Sequence, residues 1–139
     1  MIKGRKRHLI VDTMGLILAL VVTGAQVQDR DGARLAATKL KGKFARLRLF
    51  WADGAYAGEL IAWFAWFAQW VLDIVKKPDD QKGFKVLPRR WVVERTFAWL
   101  GCYRRLSKDY EYLTRHSESM IRLAMIHLMV RRLKPKAIT

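Results

Sequence analysis

The chain has 139 residues, of which 52% are hydrophobic, and it carries a formal net charge of +15. The hydrophobic share excludes a disordered basic tail, and the length is sufficient for one domain with a core. The charge favours a polyanionic partner, with nucleic acid ranked before an anionic membrane. Cys102 is the only cysteine, which excludes an internal disulfide and a cysteine zinc cluster.

The first predicted elements are two strands over 7–13 and 16–23, which are rich in β-branched and aliphatic residues. Met14 and Gly15 lie between them and predict the short turn of an antiparallel hairpin. The second strand is apolar along most of its length. We therefore expect it to be buried on both faces.

A helix over 33–41 and a strand over 46–53 are predicted next. Asp29 or Asp31 is expected to cap the helix, and the glycine after it is expected to end it. The strand ends at Asp53, which is followed by a glycine turn. Because ligands gather at the carboxyl ends of strands in mixed sheets, Asp53 is a candidate site residue.

A tryptophan-rich helix over 59–70 and a short strand over 71–76 follow. The apolar run 60–72 is shorter than the roughly 20 residues that span a bilayer, so we expect a core helix and no membrane partner. A membrane-surface protein that uses this helix is the alternative of a different class. A charged loop over 77–83 and an extended segment over 83–88 lead to the next helix.

Two helices complete the chain, one over 91–106 that carries Glu94 and one over 117–133 with Ser117 as its N-cap. The order of hairpin, helix, strand, helix, strand and helices predicts a mixed α/β domain around one central sheet.

Glu94 lies on a helix face that is otherwise lined by small residues. At 100° per residue, Ala98 and Gly101 fall within about 40° of Glu94, and Arg105 lies about 20° away. Small neighbours leave room for a bound group against the carboxylate. The adjacent stripe that we expect to pack in the core is formed by Val93, Phe97 and Leu100.

Asp53 and Glu94 together have the chemistry of a divalent metal site. Phosphodiester hydrolysis and strand transfer use two Mg²⁺ or Mn²⁺ ions held by carboxylates, and these hard cations prefer oxygen ligands. The ordinary alternative is that Asp53 caps the following helix and Glu94 pairs with Arg90 or Arg105. The residues by themselves leave both interpretations open.

Three blocks of the sequence carry a family resemblance: GRKRHLIVDTMGLILALVVTGAQVQDRDGA (4–33), WADGAYAG (51–58) and GFKVLPRRWVVERTFAWLGCYRRLSKDYE (83–111). They resemble the catalytic domain of bacterial insertion-sequence DDE transposases, specifically the insertion sequence five family. The resemblance implies an RNase H-like fold with flanking helices and DNA transposition dependent on Mg²⁺ or Mn²⁺. It also implies DNA partners at element ends and targets, and a cytoplasmic location at the nucleoid.

The resemblance assigns two acids of the Asp-Asp-Glu triad. The second acid maps onto Asp53 in the ADGAY block, and the third maps onto Glu94 in the R-x-x-x-E pattern that begins at Arg90. The family has a tyrosine three residues before that arginine, where this chain has Leu87. It also has a basic residue about seven positions after the glutamate, where this chain has Gly101 and Cys102.

Arginines of the third block are expected to contact the DNA backbone. Because the family's basic position is not matched, Arg104 or Arg105 would have to serve it. The DNA-binding candidates are Arg90, Arg95, Arg104, Arg105 and Lys108. A further basic patch is expected from Lys3, Arg5, Lys6 and Arg7.

The first acid of the family lies on a strand that precedes the GRKRH block. We therefore expect residues 1–139 to be an N-terminally truncated, C-terminal part of the catalytic domain. An upstream reading frame joined by frameshifting would complete it, and the edge left by the missing strand is where a second copy of the chain would associate. Asp12 is a candidate replacement for the first acid. The alternative function is a catalytically incomplete DNA-binding fragment or a regulator of transposition.

Overall fold

The computed structural model describes residues 4–75, 91–106 and 111–133, apart from the side chains of Trp91 and Arg105. The predicted loop over 77–83 and the extended segment over 83–88 lie outside these residues. The main elements are β1 (Arg5–Val11), β2 (Ile17–Gly24), α1 (Asp29–Thr38), β3 (Leu49–Ala52), α2 (Glu59–Ala68), β4 (Val71–Ile74), α3 (Trp91–Gly101) and α4 (Thr114–Leu133). Two short 3₁₀ helices, Gly54–Tyr56 and Arg104–Leu106, complete the set.

The predicted hairpin is confirmed. β1 pairs antiparallel with β2 from Arg5↔Gly24 to Val11↔Ile17, with an irregularity in register after Ile10. The middle of β2 is buried without interruption, as its apolar sequence predicted. This strand is therefore the part of the fold against which the helices pack.

The four strands form two sheets, whereas the sequence predicted one central sheet. Within the described residues, β1 and β2 make one two-stranded sheet, and β3 and β4 make another. β3 and β4 are parallel, from Leu49↔Val71 to Ala52↔Ile74, and α2 supplies the crossover between them. The mixed α/β class is confirmed, and the RNase H-like arrangement stays a prediction.

One hydrophobic core extends across both sheets. It includes Val21 of β2, Phe50 of β3 and Leu72 of β4, together with buried residues of α1 and α2. Phe50 and Phe64 of α2 meet edge to face, with ring centroids 5.0 Å apart. Burial of these side chains holds the sheets together even though they are separate in their strand pairing.

The other face of β2 carries a second core. Leu20 and Val22 pack there with Leu100 of α3 and with Ile121 and Ala124 of α4. Alternate residues of one strand therefore face the two cores. This arrangement places α3, the helix of Glu94, against the opposite face of β2 from α1.

The two predicted N-caps are wrong. α1 begins at Asp29, and Gln28 is its N-cap without a side-chain hydrogen bond. Asp29 and Asp31 lie instead in the first turn, where negative charge favours the helix dipole. α4 begins at Thr114, and Ser117 is a buried residue near its start that accepts a 3.3 Å hydrogen bond from Arg5.

Basic residues of β1 donate to backbone carbonyls, although the sequence predicted a DNA-binding patch there. Their hydrogen bonds tie β1 to the segments before α1, after α3 and before α4. The donor–acceptor pairs are Arg5 with the carbonyls of Glu111 (2.6 Å) and Tyr112, Lys6 with Val27 (2.9 Å), and Arg7 with Leu106 (3.1 Å). The structure thus gives these cations a role in the fold, while Lys3 lies outside the described residues.

His8 packs on the same face of β1 as Lys6, toward α1. The residue is only 7% exposed, and Nε2 of its ring lies 2.7 Å from the Thr23 hydroxyl. A side chain at Gly32 of α1 would overlap this ring. Burial lowers the pKa of His8, and the charge of Lys6 adds to this effect while Asp29 opposes it.

We expect the chain to lose stability as the pH falls through 6.5, the ordinary pKa of histidine. The unfolded chain then binds a proton before the folded chain does, so the free energy of unfolding decreases until the pH is below the lowered pKa of His8. Melting temperatures at pH 7.5 and pH 5.5 measure the loss. His8→Gln should reduce the difference between the two pH values, and the exposed control His116→Gln should not. An equal difference in all three proteins would contradict this origin.

Candidate active site

Asp53 lies directly after β3, at the shared carboxyl end of the parallel strands, as the sequence predicted. Its Oδ1 accepts a 3.0 Å hydrogen bond from the Ala55 amide and caps the 3₁₀ helix Gly54–Tyr56. The capping part of the ordinary alternative is therefore correct. A carboxylate has about four acceptor positions on two oxygens, so this one bond is compatible with a metal ligand.

Tyr56 lies close to Asp53 and was not singled out in the sequence. Burial raises the pKa of Tyr56, and the charges of Asp29 and Asp53 raise it further. The first turn of α1 is thus electrostatically linked to the loop after β3. Spacing in the sequence contains no signal for this proximity, because α1 and β3 meet only in the folded chain.

Glu94 is exposed on α3, and the small residues beside it are exposed as well. A Cβ added at Gly101 would meet no atom within 4 Å. The open face predicted around Glu94 is confirmed. The predicted core stripe is partly wrong, because Phe97 is 39% exposed. Thr96 is fully buried instead, and its hydroxyl bonds to a carbonyl of the β1–β2 turn.

A metal ion bound by Asp53 or Glu94 would rest on oxygen donors. Mg²⁺ commonly takes only one or two protein carboxylates and fills its other positions with water and phosphate, so Asp53 and Glu94 are chemically suitable. Across residues 4–75, 91–106 and 111–133, no group of three or more His, Cys, Asp and Glu side chains is arranged to hold a metal. The shared site of Asp53 and Glu94 is thus a proposal.

The arginines predicted to bind DNA have different surroundings. Arg95 donates a 2.9 Å hydrogen bond to the Met14 carbonyl, and its guanidinium lies 4.6 Å from the centre of the Trp99 ring. Arg132 covers the same ring at 4.4 Å. Arg104 is exposed in the 3₁₀ helix after α3. Arg90, Lys108 and the side chain of Arg105 lie outside the described residues.

The tryptophan-rich helix α2 has one buried side, formed by Leu60 and Phe64. This side confirms the predicted core helix, although Trp66 on the outer side is 80% exposed. Among the helices that the structure describes, none has the length and apolar character needed to cross a membrane.

Comparisons with known proteins identify the family. The model of the transposase DDE domain matches residues 2–129. A Burkholderia cepacia protein named "Putative transposase for insertion sequence element IS402" is 33% identical over 115 residues, covering 78% of this chain and 54% of that protein. The chain thus spans about half the length of this relative. No solved structure matches the chain. The chain belongs to the DDE transposases of bacterial insertion sequences.

Proposed function

We propose that residues 1–139 form the C-terminal part of the RNase H-like catalytic domain of a transposase of the insertion sequence five type. The whole enzyme cleaves DNA at the ends of its element and transfers the strands to a target, in the cytoplasm at the nucleoid. The observation that carries the proposal is the placement of the two assigned acids. Asp53 follows a parallel strand, and Glu94 lies on an open helix face.

Asp53 and Glu94 are the proposed ligands of Mg²⁺ or Mn²⁺. Bound ions of this kind activate the attacking oxygen and neutralise charge on the leaving oxygen. Asp53 is held in place by its bond to the Ala55 amide, and Glu94 is held on a regular helix. Tyr56, whose pKa is raised, stays neutral at physiological pH and adds no negative charge beside Asp53.

The first acid of the triad is proposed to come from a further polypeptide segment. This segment would be the product of an upstream reading frame. The two described sheets are separate in their pairing, yet one core extends across both. A further strand between or beside them would complete such an arrangement, because small sheets gain stability from additional paired strands.

The experiment that tests the function uses duplex DNA carrying the sequences that flank the gene on both sides. The chain is mixed with the segment encoded upstream, and DNA strand breaks are mapped with and without Mg²⁺. We expect Mg²⁺-dependent breaks at the element ends. DNA binding without cleavage in the complete mixture would contradict the proposal and favour the regulator of transposition.

Contact between Arg104 and DNA can be tested by the dependence of DNA affinity on salt concentration. Each phosphate contact releases counterions, so Arg104→Gln should weaken DNA binding for all sequences and reduce the slope of log affinity against log salt by about 1. Arg34→Gln is the matched control, because it makes the same change in α1 at a residue to which no DNA contact is assigned. Equal slopes for wild type and Arg104→Gln would exclude Arg104 from the interface.

A further inference from the structure

Asp12 builds the turn between β1 and β2. Its Oδ1 accepts hydrogen bonds from the amides of Met14 and Leu16, both at 2.9 Å. Its own amide donates to the Leu16 carbonyl at 2.9 Å, and its carbonyl accepts from the Gly15 amide at 3.0 Å. Four hydrogen bonds thus centre on this residue, two of them made by the carboxylate. The shape of the turn depends on an oxygen acceptor at position 12.

Gly15 presses this turn against α3. Its φ of 84° lies in the left-handed region, which glycine adopts without strain. A Cβ at this position would lie 2.9 Å from the Thr96 hydroxyl and 3.0 Å from the Trp99 ring. The backbone of the turn therefore approaches the helix more closely than a residue with a side chain would allow.

Two consecutive residues of α3 bind two consecutive carbonyls of the turn. The Thr96 hydroxyl donates to the Gly15 carbonyl at 2.6 Å, and Arg95 Nη2 donates to the Met14 carbonyl at 2.9 Å. Thr96 is fully buried, so the loss of its bond would leave a polar group of the turn without compensation from water. The pair of bonds fixes both the rotation and the axial position of the helix.

Glu94 shares the N-terminal half of α3 with these contacts. Residues two positions apart differ by about 200° around a helix, so a buried Thr96 directs Glu94 outward. The core contact of Leu100 with Ile121 lies further along the helix. The bonds to the turn are thus the described polar anchors closest to Glu94.

We propose that Asp12 is a positioning residue for Glu94. Its carboxylate sets the turn, and the turn holds α3 through Arg95 and Thr96 so that Glu94 is directed outward, as a ligand of the proposed metal ion would have to be. This inference rests on the proposed metal site. It gives Asp12 a different role from the replacement for the first acid that the sequence suggested.

Two substitutions at position 12 distinguish a role of Asp12 in shaping the turn from a role as a metal ligand. Asp12→Asn removes the charge but keeps an oxygen that accepts both amide bonds, whereas Asp12→Ala removes both functions. We expect Asp12→Asn to keep Mn²⁺ affinity within about twofold and Asp12→Ala to lower it about tenfold, the size typical of groups that orient metal ligands. A similar loss in both variants would show that Asp12 is a ligand and would overturn the proposal.

Hydrogen exchange of the α3 amides supplies a readout that does not depend on metal. Exchange over residues 93–100 should quicken about tenfold in Asp12→Ala and Thr96→Val, but not in Asp12→Asn or Thr96→Ser, because the conservative variants keep the bonds. Asp31→Ala, which removes a surface ion pair with Arg34, is the control. Thr96→Val tests the same contact should Asp12→Ala fail to fold.

The outcomes of the two measurements are distinguishable. Unchanged exchange in α3 of both Asp12→Ala and Thr96→Val would overturn the positioning role. Suppose that exchange quickens in the variants but the wild-type chain binds no Mn²⁺. This result would support the contact by which the turn holds the helix of Glu94, and it would contradict the proposed metal site. Quickened exchange together with weakened Mn²⁺ binding would support both.

Discussion

Glu94→Gln and Asp53→Asn are each expected to lower the Mn²⁺ affinity of the chain, and DNA cleavage by its mixture with the upstream segment, by about 100-fold or more, since a ligand matters at least as much as the groups that orient it. Both substitutions remove charge and preserve shape. Asparagine at position 53 keeps an oxygen for the Ala55 amide, so the cap of the 3₁₀ helix should survive. Glu94 is exposed, so glutamine there disturbs no core contact. Calorimetric Mn²⁺ titration and cleavage rates measure the two effects.

Matched controls exist on neighbouring elements. Glu59 in the first turn of α2 and Asp73 on β4 are exposed acids to which no metal role is assigned. Glu59→Gln and Asp73→Asn should stay within about twofold of wild type, because an exposed charge that does not bind the cation acts on it only through electrostatics screened by solvent and salt. Equal losses in controls and site variants would indicate a general charge effect and not a specific site.

Gly32→Ala is expected to destabilise the fold by about 2 kcal/mol or more. An alanine inside a helix normally gains up to about 1 kcal/mol over glycine. At this position, however, the methyl group would overlap the buried His8 ring. Displacing that ring strains a packed core and weakens its 2.7 Å contact with the Thr23 hydroxyl. Thermal unfolding should show a melting temperature lower by roughly 5–10 °C.

Gly101→Ala at the end of α3 is the control for this prediction. It makes the same chemical change in a helix, but its Cβ would meet no atom within 4 Å. We therefore expect an unchanged or slightly raised melting temperature. If Gly32→Ala were as stable as Gly101→Ala, the close packing of α1 on β1 at His8 would be wrong.

Local patterns were sufficient to predict the hairpin and the core strand. The apolar run of β2 predicted burial on both faces, and the structure places Val21 in one core and Val22 in the other. The start of α1 was missed because Asp29 can either cap a helix or occupy its first turn, and the local sequence does not separate the two. Arrangement of the strands into two sheets depends on contacts distant in sequence.

The site was predictable in part. Resemblance to a family assigned Asp53 and Glu94, and helical spacing predicted the open face beside Glu94. The partner of Arg95 could not be predicted, because the bond between Arg95 and Met14 joins residues 81 positions apart. The amides that bond to Asp12 lie two and four positions away, within the predicted turn. A basic residue therefore looks like a DNA-binding candidate in the sequence even when its role in the fold is to hold a turn in place.

The central claim, that Asp53 and Glu94 share a metal site, is tested most directly by a double-mutant cycle of Mn²⁺ affinity. Affinities are measured for wild type, Asp53→Asn, Glu94→Gln and the double variant. A shared site predicts strong non-additivity, with the double variant losing little more than either single variant. Independent additive losses, or no loss in either single variant, would contradict it.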